Sequence, residues 1–345
     1  MGIWYTTREE VKGAADIAET AYANARVDRA IEAASRAVDK LCHRVFFPEI
    51  RTMTWDWPNA QGARPWRLWL DANELISATT ITSGGTTLSA SDYFLRPDDG
   101  PPYRRVEIDL ASTQSLSNDD THQRAISILG LYGYNDITET AGTLAAEIAS
   151  TSTTTVDVTD SSAVGVGQLI KVDSERMVVT AKSMLTTGQT LQTAMTADTS
   201  NTTCAVSNGA AFTAGEVLLL NSERMLVEDI ADNNLIVQRA FDGSTLAAHT
   251  GSTIYARRRL TVERGALGTT AATHLVSATV RRQVYPGPVR RLTIAEAQNT
   301  LAQETAGWAR EIGSGENAHE AFARGLRDAR EQIQPYVRFR SRTVI

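Results

Sequence analysis

The sequence predicts an α+β protein: helices from both ends of the chain form one helical bundle with a small β-sheet, and nested all-β modules are inserted between them. Three observations predict this fold class, namely helical periodicity near both ends, strand-like alternation in the middle, and a sequence unit that occurs twice. A chain of 345 residues can build two or three domains, each with its own core.

The first predicted element is a pair of N-terminal helices that ends at Pro48. Thr7 precedes Glu10 by three residues, which is the spacing of a capping box at the start of a helix. Farther along, apolar residues recur at steps of three and four, which places them on one face of a second helix. They are Val27, Ile31, Ala34, Val38, Leu41 and Val45.

Residues 55–134 predict a small β-sheet, because β-branched residues alternate with polar ones between turn signals. The strand-like segments are 67–70, 75–88, 104–110 and 125–134. Four tryptophans crowd the start of this region, and we interpret them as core or subunit-interface aromatics; a sugar-binding platform is the alternative. They are Trp55, Trp57, Trp66 and Trp69. With a short helix predicted over 143–149, residues 1–150 form the first domain.

The middle of the chain contains a duplicated unit. Gly167–Val179 reads GQLIKVDSERMVV and Gly215–Val227 reads GEVLLLNSERMLV. A second phrase recurs as LIVQRAFDGSTLAAH in Leu235–His249 and as LTVERGALGTTAATH in Leu260–His274. The first phrases are about 48 residues apart and the second about 25, so the two copies cannot follow one another in tandem. The spacing predicts that one copy is nested inside the other.

Residues 151–285 therefore form a nested β insertion. The outer module comprises 155–182 and 259–282, and the inner module comprises 203–256. Each reads as a small barrel or sandwich, with hairpins that turn at Asp173-Ser174 and at Asn221-Ser222. The polar stretch 183–202 is predicted to be a linker into the inner module.

Residues 286–345 are predicted to complete the helical core. Thr293 and Glu296 have capping-box spacing, and apolar residues of a helical stripe follow as far as the Gly313-Ser-Gly315 break. A second helix is predicted to run from there to Pro335. The final ten residues form a tail in which arginines alternate with apolar residues.

Composition excludes several classes of protein. The formal net charge is −6, no apolar run reaches the roughly 18 residues that cross a bilayer, and the N-terminus lacks the pattern of a signal peptide. Cys42 and Cys204 fall in different predicted domains and form no metal or redox motif.

Between Arg257 and Arg291 there are eight arginines and one acid, Glu263, which predicts a solvated or partner-facing strand pair, with a nucleic-acid face as the alternative.

The search for chemistry finds no enzyme signature. The sequence contains no phosphate-binding loop and no Gly-x-Ser-x-Gly elbow, and Gly165-Val-Gly167 lacks the third glycine of a dinucleotide loop. His249 and His274 occupy equivalent positions in the two modules, where we expect them to stabilise turns. His43, His122 and His319 lack the spacing of a zinc site. We therefore predict a protein without catalytic residues, cofactors or metals.

Several segments, taken in order, carry a resemblance to a known family. They are 5–11, 30–39, 42–46, 92–97, 117–134, 292–304 and the break at 313–315. In this combination the chain resembles the head-to-tail adaptor (head-tail connector) proteins of tailed bacteriophages, most closely those of siphophages of actinobacteria. Versions from those phages also carry β insertions with SERM and RG-x-x-GTTAA phrases.

This resemblance implies a structural virion protein at the head-tail junction, made in the host cytoplasm during assembly. Such adaptors form a ring, usually of twelve copies, between the portal protein and the stopper or tail protein. They extend the channel through which double-stranded DNA passes without specific binding. The negative net charge agrees with a channel that does not grip phosphates.

The resemblance also implies that the C-terminal tail docks on the portal, and a disordered basic tail is the alternative. The residues expected to dock are Tyr336, Arg338, Phe339, Arg340 and Arg342. The alternative function is a phage tail-tip or baseplate protein whose β modules bind host glycans.

Overall fold

The computed structural model describes residues 2–15, 23–57, 64–118, 120–305 and 325–338. The chain divides into two compact units. Unit 1 comprises Met1–Val38, Thr138–Ala266 and Thr270–Pro335, and unit 2 comprises Asp39–Ile137, Leu267–Thr269 and Tyr336–Ile345.

Unit 1 contains a layer of helices drawn from both ends of the chain. Helix α1 (Arg8–Ala14) begins at the predicted capping box, where Thr7 and Glu10 each accept a hydrogen bond from the other's backbone N–H. Helices α2 (Asn24–Cys42) and α3 (Gly287–Thr305) follow, and a last helical segment spans 325–332. The buried cluster of this layer combines N-terminal, modular and C-terminal residues. It consists of Trp4, Val11, Val27, Ala30, Ile31, Ala34, Val166, Ala297 and Leu301.

Ion pairs at the edge of this layer join the same segments. Arg26 Nε lies 2.9 Å from a carboxylate oxygen of Glu304, and Arg8 makes a two-pronged pair with Asp28 at 2.7 and 2.6 Å. These contacts fix the three helices against one another in addition to the apolar cluster.

The rest of unit 1 is a ten-stranded sheet in which every pairing is antiparallel. The strands are β8 (Thr138–Thr143), β9 (Thr155–Asp157), β10 (Leu169–Val172), β11 (Glu175–Thr190), β12 (Thr203–Ala205), β13 (Val217–Leu220), β14 (Glu223–Ala231), β15 (Asn234–Gln238), β16 (Thr253–Glu263) and β17 (Thr279–Gln283). The strand order is β12-β15-β14-β13-β16-β11-β10-β17-β8, and β9 pairs with β16.

Two strands run through both modules. Strand β16 contributes Ile254 and Ala256 to the cluster that contains Leu218, and contributes Leu260 and Val262 to the cluster that contains Ile170. Strand β11 pairs with β16 along its length, with three register shifts. The two modules therefore have separate apolar clusters within one continuous sheet, and they share strands β11 and β16.

The two predicted hairpin turns are confirmed. Val172 pairs with Glu175 and Leu220 pairs with Glu223, so each turn has two residues. The first turn residue has a positive φ in both copies, 51° at Asp173 and 53° at Asn221. Asp and Asn tolerate this left-handed conformation better than most residues, which explains their presence here.

Unit 2 contains two small antiparallel sheets on one apolar cluster that includes Leu68, Leu75 and Ile128. Their strand orders are β1-β7-β3-β4 and β2-β6-β5. The strands are β1 (Glu49–Trp55), β2 (Arg67–Trp69), β3 (Leu75–Ser83), β4 (Thr86–Leu88), β5 (Tyr93–Arg96), β6 (Arg105–Ile108) and β7 (Ile126–Tyr132). All four predicted strand segments of this region contain strands.

The predicted fold class is wrong. The part of the chain that the structure describes is mostly β-sheet and 22% helical, and it is not a helical bundle with inserted modules. The physical reason lies in the cores: among the residues that the structure describes, three apolar clusters are built on sheets and one includes the helices. The capping-box spacing identified α1 and the helical periodicity identified α2, but neither pattern shows how much of the core the sheets supply.

Three local predictions also fail. Helix α3 begins at Gly287, so Thr293 lies inside it and its hydroxyl donates to the carbonyl of Val289 four residues earlier. Residues 143–149 form no helix; Leu144 makes a bridge to Val158 and Ile148 makes one to His274. Residues 183–190 of the supposed linker 183–202 are the second half of β11, because their polar residues alternate across a strand.

The contact between Trp4 and Gly167 yields a prediction with an internal control. Gly167 and Gly215 are sister positions with a φ of 93°, but a Cβ on Gly167 would lie only 2.1 Å from the Trp4 ring, whereas one on Gly215 meets nothing closer than 3.4 Å. We expect Gly167→Ala to lower the free energy of unfolding by about 2 kcal/mol more than Gly215→Ala does, because only Gly167→Ala adds overpacking to backbone strain. Urea unfolding followed by circular dichroism measures both variants, and equal losses would contradict the packing argument.

Candidate functional site

The duplicated SERM phrase places one buried glutamate in each module. In the outer module, both oxygens of Glu175 face Arg264, whose Nε and Nη2 lie at 2.7 and 2.8 Å. The backbone N–H groups of Gly265 and Ala272 donate at 2.9 and 3.0 Å, and Nε2 of His274 lies at 2.8 Å. The glutamate side chain is fully buried.

The inner module repeats this network nearly atom for atom. Arg239 reaches the two oxygens of Glu223 at 2.8 and 2.9 Å, the N–H groups of Ala240 and Ala247 donate at 2.9 and 3.0 Å, and Nε2 of His249 lies at 2.8 Å. We call the two sets the outer and inner Glu–Arg–His networks. Both histidines stabilise loops next to the hairpins, in agreement with the sequence interpretation.

Each arginine of the two networks also holds backbone that has left the sheet. Arg264 donates to the carbonyls of Ser150, Thr153 and Ala272, and Arg239 donates to those of Thr196, Asp198, Asn201 and Ala247. A planar guanidinium with five N–H donors suits this task, because it can bind a carboxylate and several carbonyls at once. The networks therefore fix irregular loops onto each module.

The electrostatic consequence is the same in both copies. Burial by itself raises the pKa of Glu175 and Glu223, but the hydrogen bonds from arginine, histidine and two backbone amides outweigh it and lower each pKa to about 2. Each carboxylate therefore stays ionised at neutral pH, with its charge satisfied inside the fold.

One substitution distinguishes the networks. Nδ1 of His274 faces a carboxylate oxygen of Asp173 at 2.7 Å, whereas Nδ1 of His249 faces the amide nitrogen of Asn221 at 3.2 Å. The histidine of the outer network therefore faces two carboxylates, whereas the histidine of the inner network faces one carboxylate and one amide.

The arginine-rich stretch 257–291 does not form a free basic strand pair. Five of its eight arginines pair with an acid contributed by a distant segment, and Arg257 pairs with Asp242. The distant pairs are Arg258–Glu216, Arg259–Asp157, Arg264–Glu175, Arg282–Glu139 and Arg290–Glu10. This pairing removes the basis for a nucleic-acid face on this stretch.

The four tryptophans lie in unit 2. Trp55 is buried, Trp57 and Trp66 pack against the same apolar cluster, and Trp57 also stacks on His122 with ring centroids 5.6 Å apart. Trp69 alone remains largely exposed, at 40%. Three of the four therefore contribute to the core of unit 2.

Two of the five tail residues expected to dock on the portal contact their own chain. The Tyr336 ring packs against those of Phe46 and Tyr134, and the backbone N–H of Arg338 donates to the carbonyl of Cys42 at 2.9 Å. The other three, Phe339, Arg340 and Arg342, lie outside the described residues.

Sequence reasoning missed the role of Lys182, which lines a polar cleft of about 720 Å³ in unit 1. Its ammonium donates to the carbonyls of Ser161 and Val164 at 2.9 and 2.5 Å, which fastens the loop before β10 onto β11. Burial lowers the pKa of Lys182, and the negative charges of nearby Glu9 and Glu216 oppose that effect. A lysine at the end of SERM-V-V-T-A-K carries no recognisable signal for this contact.

The described residues contain no group of three potential metal-binding side chains close enough to hold an ion. Among the same residues, none of the helices combines the length and the apolar character that a bilayer crossing requires.

The lowered pKa values of the two glutamates predict acid sensitivity. Because each pKa falls from 4.5 to about 2 on folding, both stabilise the fold fully above pH 4.5, and this contribution is lost as the pH falls towards 2. We expect the melting temperature to drop over that window.

We also expect Glu223→Gln to destabilise the protein by about 3 kcal/mol at pH 7, because it leaves Arg239 buried without its charge partner. The exposed Glu228→Gln is the control, and an equal effect there would contradict the role of the network.

Comparisons of the chain with protein families, with curated proteins and with solved structures find no match.

Proposed function

We propose that this chain is a structural head-to-tail adaptor of a tailed bacteriophage, located between the portal and the stopper or tail. The observation that carries the proposal is the helical layer of unit 1. Residues that resemble adaptor sequences at both ends of the chain meet there in one apolar cluster, which includes Val11, Ile31, Ala297 and Leu301. The β modules enter the chain between these segments, as insertions do in the adaptors it resembles.

The chemistry of the described residues supports a protein that makes contacts rather than one that catalyses a reaction. Its most buried charged groups, the two Glu–Arg–His networks, are fully engaged with one another and with backbone. An active site needs such groups to face a space that a substrate can enter. Here they hold loops instead.

The electrostatics also suit a conduit for DNA. Most arginines of the basic stretch are neutralised by acids of the same chain, and the net charge is −6. Each unpaired arginine on a channel wall would add salt-dependent affinity for phosphates and would slow the passage of DNA. Because these arginines pair with acids of the same chain, they would not slow the passage of DNA in this way.

The test is assembly with the portal protein encoded by the same genome. The two full chains are co-expressed, sedimented on a gradient and imaged. We expect the chain to sediment with portal rings and to form a ring of its own on one face, with twelve copies. Failure to bind the portal, together with binding of the full chain to host cell-wall glycans, would overturn the proposal in favour of a tail-tip or baseplate protein.

A truncation tests the tail separately. A chain that ends at Arg338 keeps Tyr336 and the backbone contact with Cys42, so we expect an unchanged melting temperature. It lacks Phe339, Arg340 and Arg342, and we expect it to lose binding to portal rings. If the truncated chain still joins portal rings, tail docking is refuted while the adaptor role stands.

A further inference from the structure

The small sheet β2-β6-β5 of unit 2 has one face in the core and one face outward. Val106 and Leu68 point into the apolar cluster, so the alternate residues point away from it. We call these outward residues the aromatic–arginine face. They are Arg67 and Trp69 of β2, Arg105 and Glu107 of β6, and Phe94 and Arg96 of β5.

Three guanidiniums on this face converge on one carboxylate. Glu107 receives Arg67 and Arg105 at one oxygen, at 3.0 and 2.9 Å, and Arg96 at the other, at 3.1 Å. The arginines cover Glu107 so well that it is 8% exposed, although it lies on the outward face. Asp98, at the rim, also pairs with Arg96.

Each of these guanidiniums also lies over an aromatic ring. The distances from guanidinium carbon to ring centroid are 4.7 Å for Arg67 over Trp66, 5.2 Å for Arg105 over Trp69 and 5.3 Å for Arg96 over Phe94. Stacking on the rings restricts the motion of the guanidinium groups, so less side-chain conformational entropy is lost when a partner binds. Trp69 and Phe94 remain 40% and 46% exposed.

This face has more positive charge and more donors than its own carboxylates satisfy. Three arginines offer about fifteen N–H groups, and within the described chain their side chains pair only with Glu107 and Asp98. Exposed tryptophan beside arginine is also the composition of the strongest contact points at protein interfaces.

The chain carries a surface of the opposite charge in the inner module. The hairpin of β14 and β15 exposes Glu228, Asp229 and Asp232. None of them has an ion pair within the described parts of the chain, and no lysine or arginine occurs between Met225 and Gln238. We call this the acidic hairpin.

We propose that the aromatic–arginine face of one copy binds the acidic hairpin of a second copy. The proposal rests on the proposed function, since a ring requires two different and complementary faces on every subunit. Carboxylates of the incoming hairpin would take the unused guanidinium donors, and its backbone would cover Trp69 and Phe94.

A protein partner fits this face better than a nucleic acid does. Arginines already fixed by one carboxylate can donate to a second one in the two-pronged geometry that they favour. Arg67, Arg96 and Arg105 also cover the rings beside them, which obstructs base stacking on those faces.

Disulfide trapping between two variants tests the contact in the purified full chain. One chain carries Asp98→Cys at the rim of the face, and the other carries Ala231→Cys on the acidic hairpin. The native Cys42 and Cys204 are buried and do not interfere. We expect mixed oxidation to yield a crosslinked pair whose amount falls several-fold when NaCl rises from about 20 to about 500 mM. The control replaces Ala231→Cys with Leu275→Cys, an exposed position in the outer module.

Charge reversal gives the decisive readout. Arg105→Glu and Glu228→Arg should each reduce crosslinking about tenfold, and Arg105→Glu should regain it when mixed with a chain that carries Glu228→Arg. Glu228 is exposed and unpaired, so its variant should fold normally even if Arg105→Glu disturbs the sheet; circular dichroism checks both.

Three results would overturn the inference. The first is an amount of crosslinked pair no greater than in the Leu275→Cys control. The second is an amount that Glu228→Arg does not reduce. The third is binding of a labelled oligonucleotide that depends on Arg105. If portal rings still recruit the chain in any of these cases, only this inference falls. If the contact forms but portal rings do not recruit the chain, the adaptor proposal falls instead.

Discussion

The β-sheet of unit 1 depends on two buried glutamates whose charges must be balanced by ion pairs and hydrogen bonds. A carboxylate removed from water is strongly destabilising unless charges and N–H donors surround it. Glu175 and Glu223 each collect an arginine, a histidine and two amides. In both copies the arginine, the second amide and the histidine follow in the sequence at matching intervals, because one loop must wrap around the carboxylate. The recurring sequence phrases contain the residues of these two loops.

Nesting follows from how the sheet is shared. Strands β11 and β16 are long enough to pass from one apolar cluster to the other, so an inner module placed between them adds strands without breaking the sheet. The duplicated turns, Asp173-Ser174 and Asn221-Ser222, keep the same backbone conformation in both settings. Asp173 in the outer copy and Asn221 in the inner copy place different groups beside Nδ1 of the neighbouring histidine, while the turn itself has the same backbone conformation.

The distribution of charge connects the fold with the proposed role. Arginines that appear as a basic stretch in the sequence are used within the chain, where they hold loops and strand ends. The surplus lies elsewhere, on the small sheet of unit 2, and surplus acid lies on the inner hairpin. A protein that assembles around DNA benefits from this separation, because its unpaired charges are then available for protein contacts.

The sequence by itself determined features set by neighbours along the chain: the capping box at Thr7, the two-residue hairpin turns, the strands of unit 2 and the nested repeat. The fold class and the start of α3 that were predicted from the sequence are wrong, and the ion pairs could not be predicted from it. Periodicity states that a face is apolar but not what covers it. Arg259 and Arg282 find their acids 102 and 143 residues away. Only the tertiary structure brings such residues together, because pairing over that distance depends on the path of the whole chain rather than on local conformational preference.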